Sequence, residues 1–297
     1  MLSAAMSAQA AFRFFPAVPP LSAFVDHFYF SQVPQAFVSQ VDAMRLPEVE
    51  AQLVFAIENG KLFPGGQHLG GGQRACLFLQ AAHLQMIPIP SSIRGAVGAS
   101  LRPAGLRLLL PKGAGSLIDS PLIALEDILG APARELLERM AMAGTPRARL
   151  QVLRQFLSER VALATRPSRA MARAAELIRS AHGEISTEQL AEACGCTSRT
   201  LRSLAVAETG LAPKHLARVA RIRRALELLS AADVKLSDAA LASAFSDQAH
   251  MSREFRELIG APPASLSERM RSGAVPSFNA ERNLMSTGLL VMPRFTL

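Results

Sequence analysis

Short apolar runs separated by Gly and Pro fill the first third of the chain, and their period predicts β-strands. Phe24–Phe30, Gln52–Ile57 and Ile93–Leu101 each have the residue types and the alternation of a strand. The glycines of Gly65-Gly66 and Gly70–Gly72 predict turns between strands. They lack the Lys-Ser/Thr ending and the following helix of a nucleotide-binding loop, so a phosphate site is not expected there.

Helical spacing replaces the strand pattern after the first hundred residues. Apolar positions three and four apart predict helices over Ala104–Leu110, Ala131–Met142 and Pro146–Ala164. A short linker is predicted at Thr165–Ser168, because its proline disfavours helix at the residue before it. From there to about residue 270 the pattern remains helical and contains no strand signal.

These patterns predict an α+β protein in three parts. Residues 10–165 are expected to form a β-rich domain with a helical end, residues 169–271 an all-α domain, and residues 273–297 a tail. The tail contains two prolines and several polar residues, and we expect it to be loosely ordered. A length of 297 residues is sufficient for two domains with separate cores.

Net charge changes this picture little. Residues 1–169 carry 16 basic and 11 acidic groups, and residues 170–272 carry 14 and 12. The overall charge of +8 favours a polyanionic partner but does not locate its binding site. A nucleic-acid site must therefore be argued from particular arginines.

The cysteines and the chain terminus indicate the cellular compartment. Cys76, Cys194 and Cys196 form no disulfide framework in so long a chain. One residue separates Cys194 from Cys196, whereas a redox motif needs two and a zinc site needs more ligands, so we expect a structural role. The sequence lacks a signal-peptide pattern and any run of about 18 uninterrupted apolar residues. These features predict a soluble, cytoplasmic protein, and no cofactor is indicated.

The helical half begins with a helix and a tight turn. Ser186 and Gln189 have the spacing of a capping box, in which the serine caps the helix and the glutamine bonds back to its first residue. Gly195 ends this helix in a turn. Either Thr197 or Ser198 then caps a second helix.

Two faces are predicted for that second helix. Leu201 and Leu204 are three residues apart and face inward, while Arg199 and Arg202 share another face. A short helix, a glycine turn and a second helix with an exposed basic face form the helix-turn-helix arrangement.

The same arrangement recurs about fifty residues later. Asp238–Ala244 is predicted to form a short helix of small side chains, with Phe245 closing the turn and Ser246 capping the next helix, Asp247–Ile259. Gly260 ends that helix, and a final short helix follows the next two prolines. The inward residues are Met251, Phe255 and either Leu258 or Ile259, and the candidates for exposed faces are Gln248, His250, Ser252 and Arg253.

A long helix is predicted between the two copies, over Pro213–Ala231. At 1.5 Å per residue it spans about 28 Å, close to the roughly 34 Å of one DNA turn. It could therefore place two helices against adjacent major-groove segments on one face of DNA. The sequence favours neither phosphate contact nor a solvated face for the four arginines of this helix. They are Arg218, Arg221, Arg223 and Arg224.

Motifs in this half resemble the DNA-binding domain of AraC/XylS regulators. The similarity covers about residues 170–270, and the motifs follow the family's order. More weakly, Pro19–Val25, Leu101–Leu106 and Leu125–Gly130 resemble the uncharacterised domain that precedes this module in some members. The motifs of the helical half are Leu190-Ala191, Gly210–Pro213, Arg221–Ala225, Ala244–His250, Phe255-Arg256 and Gly260–Pro263.

The resemblance implies a seven-helix domain in which each second helix enters a major groove of double-stranded DNA. It implies that the first reading helix contacts DNA through Arg199, Arg202 and Ser203, and the second through Gln248, His250, Ser252 and Arg253. Arginine can hold guanine O6 and N7 with two hydrogen bonds, and glutamine can do the same for adenine.

Some positions depart from the family pattern. Ser203 stands where an arginine is usual, and Ala205 where a large aromatic residue is usual. Ala244 replaces the usual glycine of the second turn, and Met251 replaces an inward Phe. We expect the first unit either to bind DNA weakly or to need the second unit to hold it on the DNA, with Leu201, Leu204 and Leu211 filling the space beside Ala205.

These departures leave an alternative open, a degenerate helix-turn-helix protein that acts as a protein-interaction module without binding DNA. An enzyme on the N-terminal domain is less favoured, because His27, His68 and His83 lack metal-like spacing and Cys76 alone does not supply alkyl-transfer chemistry. Under the regulator interpretation, a small-molecule effector, RNA polymerase and a second copy of the chain are partners that the sequence leaves open. Dimer formation is expected through residues 103–164.

Overall fold

The computed structural model describes the greater part of the chain. The glycine turns at 65–72, His68, His83 and most of the predicted linker at 165–168 lie outside the described residues. The described residues are 11–32, 41–45, 50–58, 61–62, 75–78, 87–89, 95–110, 122–164, 168–230, 234–269 and 289–293.

Within the described residues, two antiparallel sheets are built from strands of the N-terminal part and one strand near the C-terminus. The larger has the strand order β1-β2-β8-β4-β6-β9 with β5 paired to β4, and the smaller has the order β10-β3-β7. The strands are β1 (Ala11–Pro16), β2 (Val25–Gln32), β3 (Val41–Arg45), β4 (Ala51–Glu58), β5 (Lys61–Leu62), β6 (Ala75–Phe78), β7 (Ile87–Ile89), β8 (Gly95–Leu101), β9 (Leu122–Ala124) and β10 (Leu289–Pro293).

The three strands predicted from the sequence are β2, β4 and β8, and they lie side by side in the larger sheet. Phe28 of β2 is opposite Ala99 of β8, which in turn is opposite Leu53 of β4. All three side chains are fully buried. The apolar runs therefore form the centre of this sheet, where burial of aromatic and aliphatic groups stabilises the fold.

Ten α-helices and two short 3₁₀ helices follow or accompany the sheets within the described residues. Three of the α-helices belong to the N-terminal part, and seven lie between Arg169 and Arg269, as the AraC/XylS resemblance implies. They are α1 (Leu125–Leu129), α2 (Ala131–Met142), α3 (Pro146–Val161), α4 (Arg169–Ser180), α5 (Thr187–Ala193), α6 (Ser198–Thr209), α7 (Pro213–Ser230), α8 (Leu236–Leu241), α9 (Gln248–Ile259) and α10 (Pro263–Arg269).

The structure changes two of the predicted elements. The segment expected as a helix over Ala104–Leu110 is a 3₁₀ helix at Pro103–Leu108, with hydrogen bonds that span three residues. A segment this short does not repay the cost of α-helix nucleation by itself, so tertiary packing sets its conformation. The expectation of a loosely ordered tail is wrong for Leu289–Pro293, which pairs with β3 and continues the smaller sheet.

The all-α part has two separate hydrophobic cores. One contains Ile178, Leu190, Leu201 and Leu216, and joins α4, α5 and α6 to the first half of α7. The other joins the second half of α7 to α8, α9 and α10 through a different set of side chains, Ile222, Leu226, Ala239, Phe255 and Leu266. Because α7 contributes to both cores, it sets the relative position of the two helix pairs.

Charged contacts join the sheet-bearing part to the helices. Arg107, in the 3₁₀ helix, donates to the Glu208 carboxylate of α6 at 3.0 Å, and Glu208 is only 1% exposed. Burial raises the pKa of Glu208, and the attraction of Arg107 opposes that rise. Arg179 at the end of α4 pairs with Glu50 at 3.3 Å. The first helix pair therefore rests directly against the N-terminal part.

Candidate nucleic-acid interface

The first unit consists of α5, a turn and α6, and its helix ends have the predicted caps. The Ser186 hydroxyl accepts from the Gln189 backbone N–H at 3.1 Å, and the Gln189 side chain accepts from the Ser186 N–H at 2.9 Å. Thr197 caps α6 by accepting from the Thr200 N–H. Gly195 has φ of +65° in the turn, a conformation that glycine adopts without steric cost.

The second unit consists of α8, a turn and α9, and its cap differs from the prediction. Asp247, not Ser246, caps α9 by accepting from the His250 backbone N–H at 2.6 Å. This bond lowers the pKa of the exposed Asp247 carboxyl. The helix begins one residue later than the sequence pattern indicates, so Ser246 lies before the cap position. Its hydroxyl bonds Asp247 and His250 instead.

The two turns have the same backbone geometry. In the first, the Cys196 N–H donates to the Ala191 carbonyl, and in the second, the Phe245 N–H donates to the Ala240 carbonyl. The residue before each donor has a left-handed conformation, and in the second unit that residue is Ala244 with φ of +57°. A non-glycine residue in this region is strained by its Cβ. The second turn therefore keeps the left-handed backbone conformation of the first, although its residue at this position is alanine and not glycine.

Helix α6 presents the predicted polar residues to solvent. Arg199, Arg202 and Ser203 are all exposed. On the opposite face, Leu201 and Ala205 are fully buried. Leu211 joins the same core and Leu204 packs partly against it, so the space left by the small alanine is filled as expected.

Helix α9 presents its predicted residues less uniformly. Gln248 and Arg253 are exposed, and Ser252 is half-buried. The His250 ring bonds Ser246 through Nδ1 at 3.0 Å and packs edge-on against Phe245. Its ring is therefore engaged locally at the start of the helix.

One exposed arginine of α9 was not among the predicted site residues. Arg256 lies one turn after Arg253, and both are exposed. Its spacing of three from Arg253 places it on a neighbouring row of the same helix surface. That spacing was available in the sequence and could have identified Arg256 as a further candidate for phosphate contact.

The arginines of α7 make protein contacts, which decides much of the question that the sequence left open. Arg218 pairs with Glu254 at 2.7 Å and with Glu257 at 2.8 Å. Arg221 donates to the Ala244 carbonyl at 3.3 Å and lies over the Phe245 ring. Of the others, Arg224 pairs with Glu227 on the same helix, and Arg223 lines a cavity. These contacts favour structural roles for Arg218 and Arg221.

That cavity lies between the sheet and the helices and has a volume of about 250 Å³. Charged groups of both signs surround it, which suits a small polar molecule better than an apolar one. The lining side chains come from three regions: Asp26, His27, Glu50 and Ser100 from the N-terminal part, Arg179 and His182 at the end of α4, and Ala220, Arg223, Arg224 and Glu227 from α7.

The cysteines and histidines form no metal centre within the described part of the chain. Cys194 and Cys196 are free thiols that pack partly against the core of the first unit. Burial raises the pKa of the Cys194 thiol. No group of three or more His, Cys, Asp or Glu residues has metal-binding geometry in the described residues. Nor does any described helix combine the length and apolar character needed to cross a membrane.

A family model matches part of the chain. Residues 190–269 match the family model described as a helix-turn-helix domain. No curated protein matches the chain.

Solved structures show weaker similarity. A DNA-binding transcriptional dual regulator from Escherichia coli K-12 aligns with 34% of this chain and 91% of its own, at 19% identity and a TM-score of 0.32. ToxT from Vibrio cholerae O395 aligns over 89% and 98%, at 12% identity and a TM-score of 0.41. Wild-type ToxT bound to an unsaturated fatty acid, from V. cholerae strain SCE256, aligns over 81% and 93%, at 12% identity and a TM-score of 0.40.

The match over residues 190–269 identifies this part of the chain as a helix-turn-helix domain, and it supports a DNA-binding transcription regulator. Its helix-turn-helix domain is of the AraC type. The resemblance to AraC/XylS regulators, which the motifs of residues 170–270 predicted, is therefore confirmed.

Proposed function

We propose that the protein is a sequence-specific regulator in which α6 and α9 enter adjacent major-groove segments of double-stranded DNA. The observation that carries this proposal is the repeated geometry of the two units, each with a capped second helix whose outer face is polar. Helix α7 joins them and spans about 27 Å, somewhat less than the roughly 34 Å of one DNA turn. The two helices can therefore reach adjacent grooves on one side of the duplex.

The exposed side chains have the chemistry that base recognition requires. Arg199, Arg202 and Arg253 supply forked donors suited to guanine or phosphate, and Gln248 supplies the amide that matches adenine. A good bidentate contact contributes roughly 1–3 kcal/mol of discrimination between bases. Ser203 and Ser252 can add a single hydrogen bond each, and His250 is proposed to act mainly by holding the start of α9.

A selection from a random DNA library with the purified protein tests the proposal. We expect an enriched motif of two blocks centred about one helical turn apart. The double variant Arg199→Ala with Arg202→Ala should weaken selection for one block, and Arg253→Ala should weaken selection for the other. The matched control is Arg134→Ala, which removes the same charge from an exposed position on α2.

The salt dependence of affinity separates specific binding from general attraction. Each phosphate neutralised by the protein contributes roughly 0.9 to the slope of log affinity against log salt. Enrichment of one block only would reduce the proposal to a single reading helix. Absence of enrichment, with weak binding that disappears as salt rises, would contradict sequence-specific recognition.

The N-terminal part is proposed to regulate this binding, either by sensing a small molecule or by pairing two copies of the chain. The polar cavity next to α7 is the described site that best suits an effector. Pairing would use residues 103–164, and sedimentation showing a monomer at tens of micromolar would remove that part. We further propose that the protein acts in the cytoplasm, where DNA and RNA polymerase are accessible partners.

The second candidate function is a protein-interaction module that does not bind DNA. Ser203 favours it, because this residue leaves the centre of the outer face of α6 without the arginine usual in the family. Under this alternative, affinity for DNA would be weak for every sequence and would vanish as salt rises. The same library selection therefore discriminates between the two functions.

A further inference from the structure

The contact between α7 and α9 contains a compact cluster of charges. The Arg218 guanidinium uses Nε for the Glu254 carboxylate at 2.7 Å and Nη2 for the Glu257 carboxylate at 2.8 Å. Arg218 is 12% exposed and Glu254 is 15% exposed, so this pair lies largely away from solvent. Glu257 is more exposed, and its bond to Arg218 lowers the pKa of its carboxyl.

Further titratable groups surround this cluster. His250 lies beside Glu254, with Nε2 at 3.9 Å from the carboxylate. His215, one turn before Arg218 on α7, also faces the cluster, and burial followed by the Arg218 charge lowers its pKa. Arg218 is therefore the positive centre of the group, and it connects one side of the second reading helix to the helix that joins both units.

The geometry is that of a clamp on α9. Glu254 and Glu257 are three residues apart, on neighbouring rows of the helix surface, and one planar guanidinium fork holds both. Two fixed points one turn apart restrict the rotation of a helix about its axis more than a single contact does. Arg253 precedes Glu254 by one residue and therefore lies roughly 100° around the same helix. Any rotation that releases the two carboxylates also moves Arg253.

The clamp also affects the charge that a DNA strand would meet. Without Arg218, the carboxylates of Glu254 and Glu257 would lie beside the proposed reading surface of α9 and would lack their arginine partner. Unpaired carboxylates repel phosphate, and a carboxylate as sheltered as Glu254 is costly to leave without its ion-pair partner. The pairing thus both neutralises and orients this side of the helix.

We propose that Arg218 is a positioning residue for DNA recognition, which fixes the rotation of α9 and thereby the bases that the second unit reads. This inference rests on the proposed function, and it assigns the specificity role to a residue that does not itself touch DNA. The arginine fork matters because an ammonium group offers no planar pair of donors to bridge two carboxylates.

Equilibrium binding to the selected DNA site tests this role. Each variant is measured on the intact site, on a site altered only in the block read by α6, and on a site altered only in the block read by α9. We expect Arg218→Met to reduce discrimination at the α9 block about tenfold and to leave discrimination at the α6 block within twofold. Arg218→Lys keeps the charge and should recover affinity without recovering that discrimination.

Two further variants isolate the mechanism. Adding Glu254→Gln and Glu257→Gln to Arg218→Met removes the two carboxylate charges that Arg218 had paired, and it should restore affinity but not block-specific discrimination. Arg173→Met is the matched control, because it removes an arginine from an exposed position on α4, outside the contact between α7 and α9. Thermal unfolding of each variant shows whether the protein is folded at the binding temperature.

Three results would overturn the inference. Discrimination at the α9 block could survive in Arg218→Met, it could fall equally at both blocks, or Arg218→Lys could restore it fully. If the wild-type protein itself prefers no DNA sequence, the proposed function is wrong. The library selection with the wild-type protein shows this before any variant is measured. If Arg218→Met does not fold, the folded Arg218→Lys variant decides the question through its discrimination.

Discussion

At the scale of single residues, the most informative position is Ala244. Its φ of +57° places an alanine where the equivalent residue of the first turn is Gly195, at +65°. The left-handed conformation costs a non-glycine residue about 1–2 kcal/mol, and glycine loses about 0.5–1 kcal/mol more backbone entropy on folding. We expect Ala244→Gly to raise the free energy of unfolding by about 0.5–1 kcal/mol in urea titrations.

The reciprocal substitution is the control for this prediction. Gly195→Ala introduces the same strain into the first turn, where a Cβ would meet no neighbouring atom within 4 Å. It should lower the free energy of unfolding by about 0.5–1 kcal/mol, because the backbone strain of the alanine exceeds the entropy gained by removing the glycine. Equal stability of both variants and the wild type would show that the turns do not hold these conformations in solution.

Ser203 gives a second prediction at this scale, in the direction of gained function. The residue is exposed at the centre of the outer face of α6, where the family usually has arginine. We expect Ser203→Arg to raise affinity for the selected site and, if the new side chain reaches phosphate, to steepen the salt slope by roughly 0.9. Ala172→Arg, which adds the same charge at an exposed position of α4, should change neither quantity comparably.

At the scale of elements, the local sequence predicts the start of a helix well where only one residue is suited to cap it. Ser186 and Gln189 form the predicted capping box. Ser246 and Asp247 are adjacent and both suited to capping, so the sequence pattern led to Ser246, whereas the structure has Asp247 as the cap. The 3₁₀ helix at Pro103–Leu108 was less predictable, because its conformation depends on packing between the sheet and α6.

The cap of α9 should make its stability depend on pH. The hydrogen bond from the His250 N–H lowers the pKa of Asp247 below its unfolded value. A lowered folded pKa contributes stability that is present above the unfolded pKa and is lost as pH falls through the folded pKa. Wild type and Asp247→Asn should therefore differ in unfolding free energy at pH 7 more than at pH 3.

The comparison with Asp247→Ala separates charge from capping. Asparagine is also a good cap residue, so Asp247→Asn keeps a hydrogen-bond acceptor, whereas alanine removes it at every pH. Asp247→Ala should be the least stable of the three at pH 7 in urea unfolding. If wild type and both variants unfold alike at pH 7, the cap contributes nothing to the stability of α9.

At the scale of the whole molecule, the sequence predicted the three central strands of the larger sheet and most of the helices, but not how the parts meet. Nothing in the local pattern connects Arg107 to Glu208, which are 101 residues apart and form an ion pair between the sheet-bearing part and α6. The same holds for the pairing of Leu289–Pro293 with β3. Such contacts depend on tertiary geometry, whereas hydrophobic period and capping depend on neighbours along the chain.

The buried carboxylate of Glu208 leads to a prediction with the opposite pH sign. Burial raises its folded pKa above the unfolded value, so its contribution to stability is fully present below the unfolded pKa and is lost as pH rises through the folded pKa. The unfolding free energy of wild type relative to Glu208→Gln should therefore increase as pH is lowered from 8 to 4.

The variant Glu268→Gln is the control, because it removes a carboxylate from an exposed site on α10. Its stability relative to wild type should stay nearly constant over the same pH range. A relative stability of Glu208→Gln that is also independent of pH, or that changes in the other direction, would show that Arg107 compensates fully for burial.

The most direct test of the central claim is to vary the spacing between the two selected DNA blocks. Because α7 holds α6 and α9 in a fixed relation, we predict that inserting five base pairs, about half a turn, lowers affinity to that of a single block. Inserting one or two base pairs should already weaken binding. Affinity that is unchanged across the series would contradict recognition by two helices joined rigidly, and would leave one helix, or neither, in specific contact with DNA.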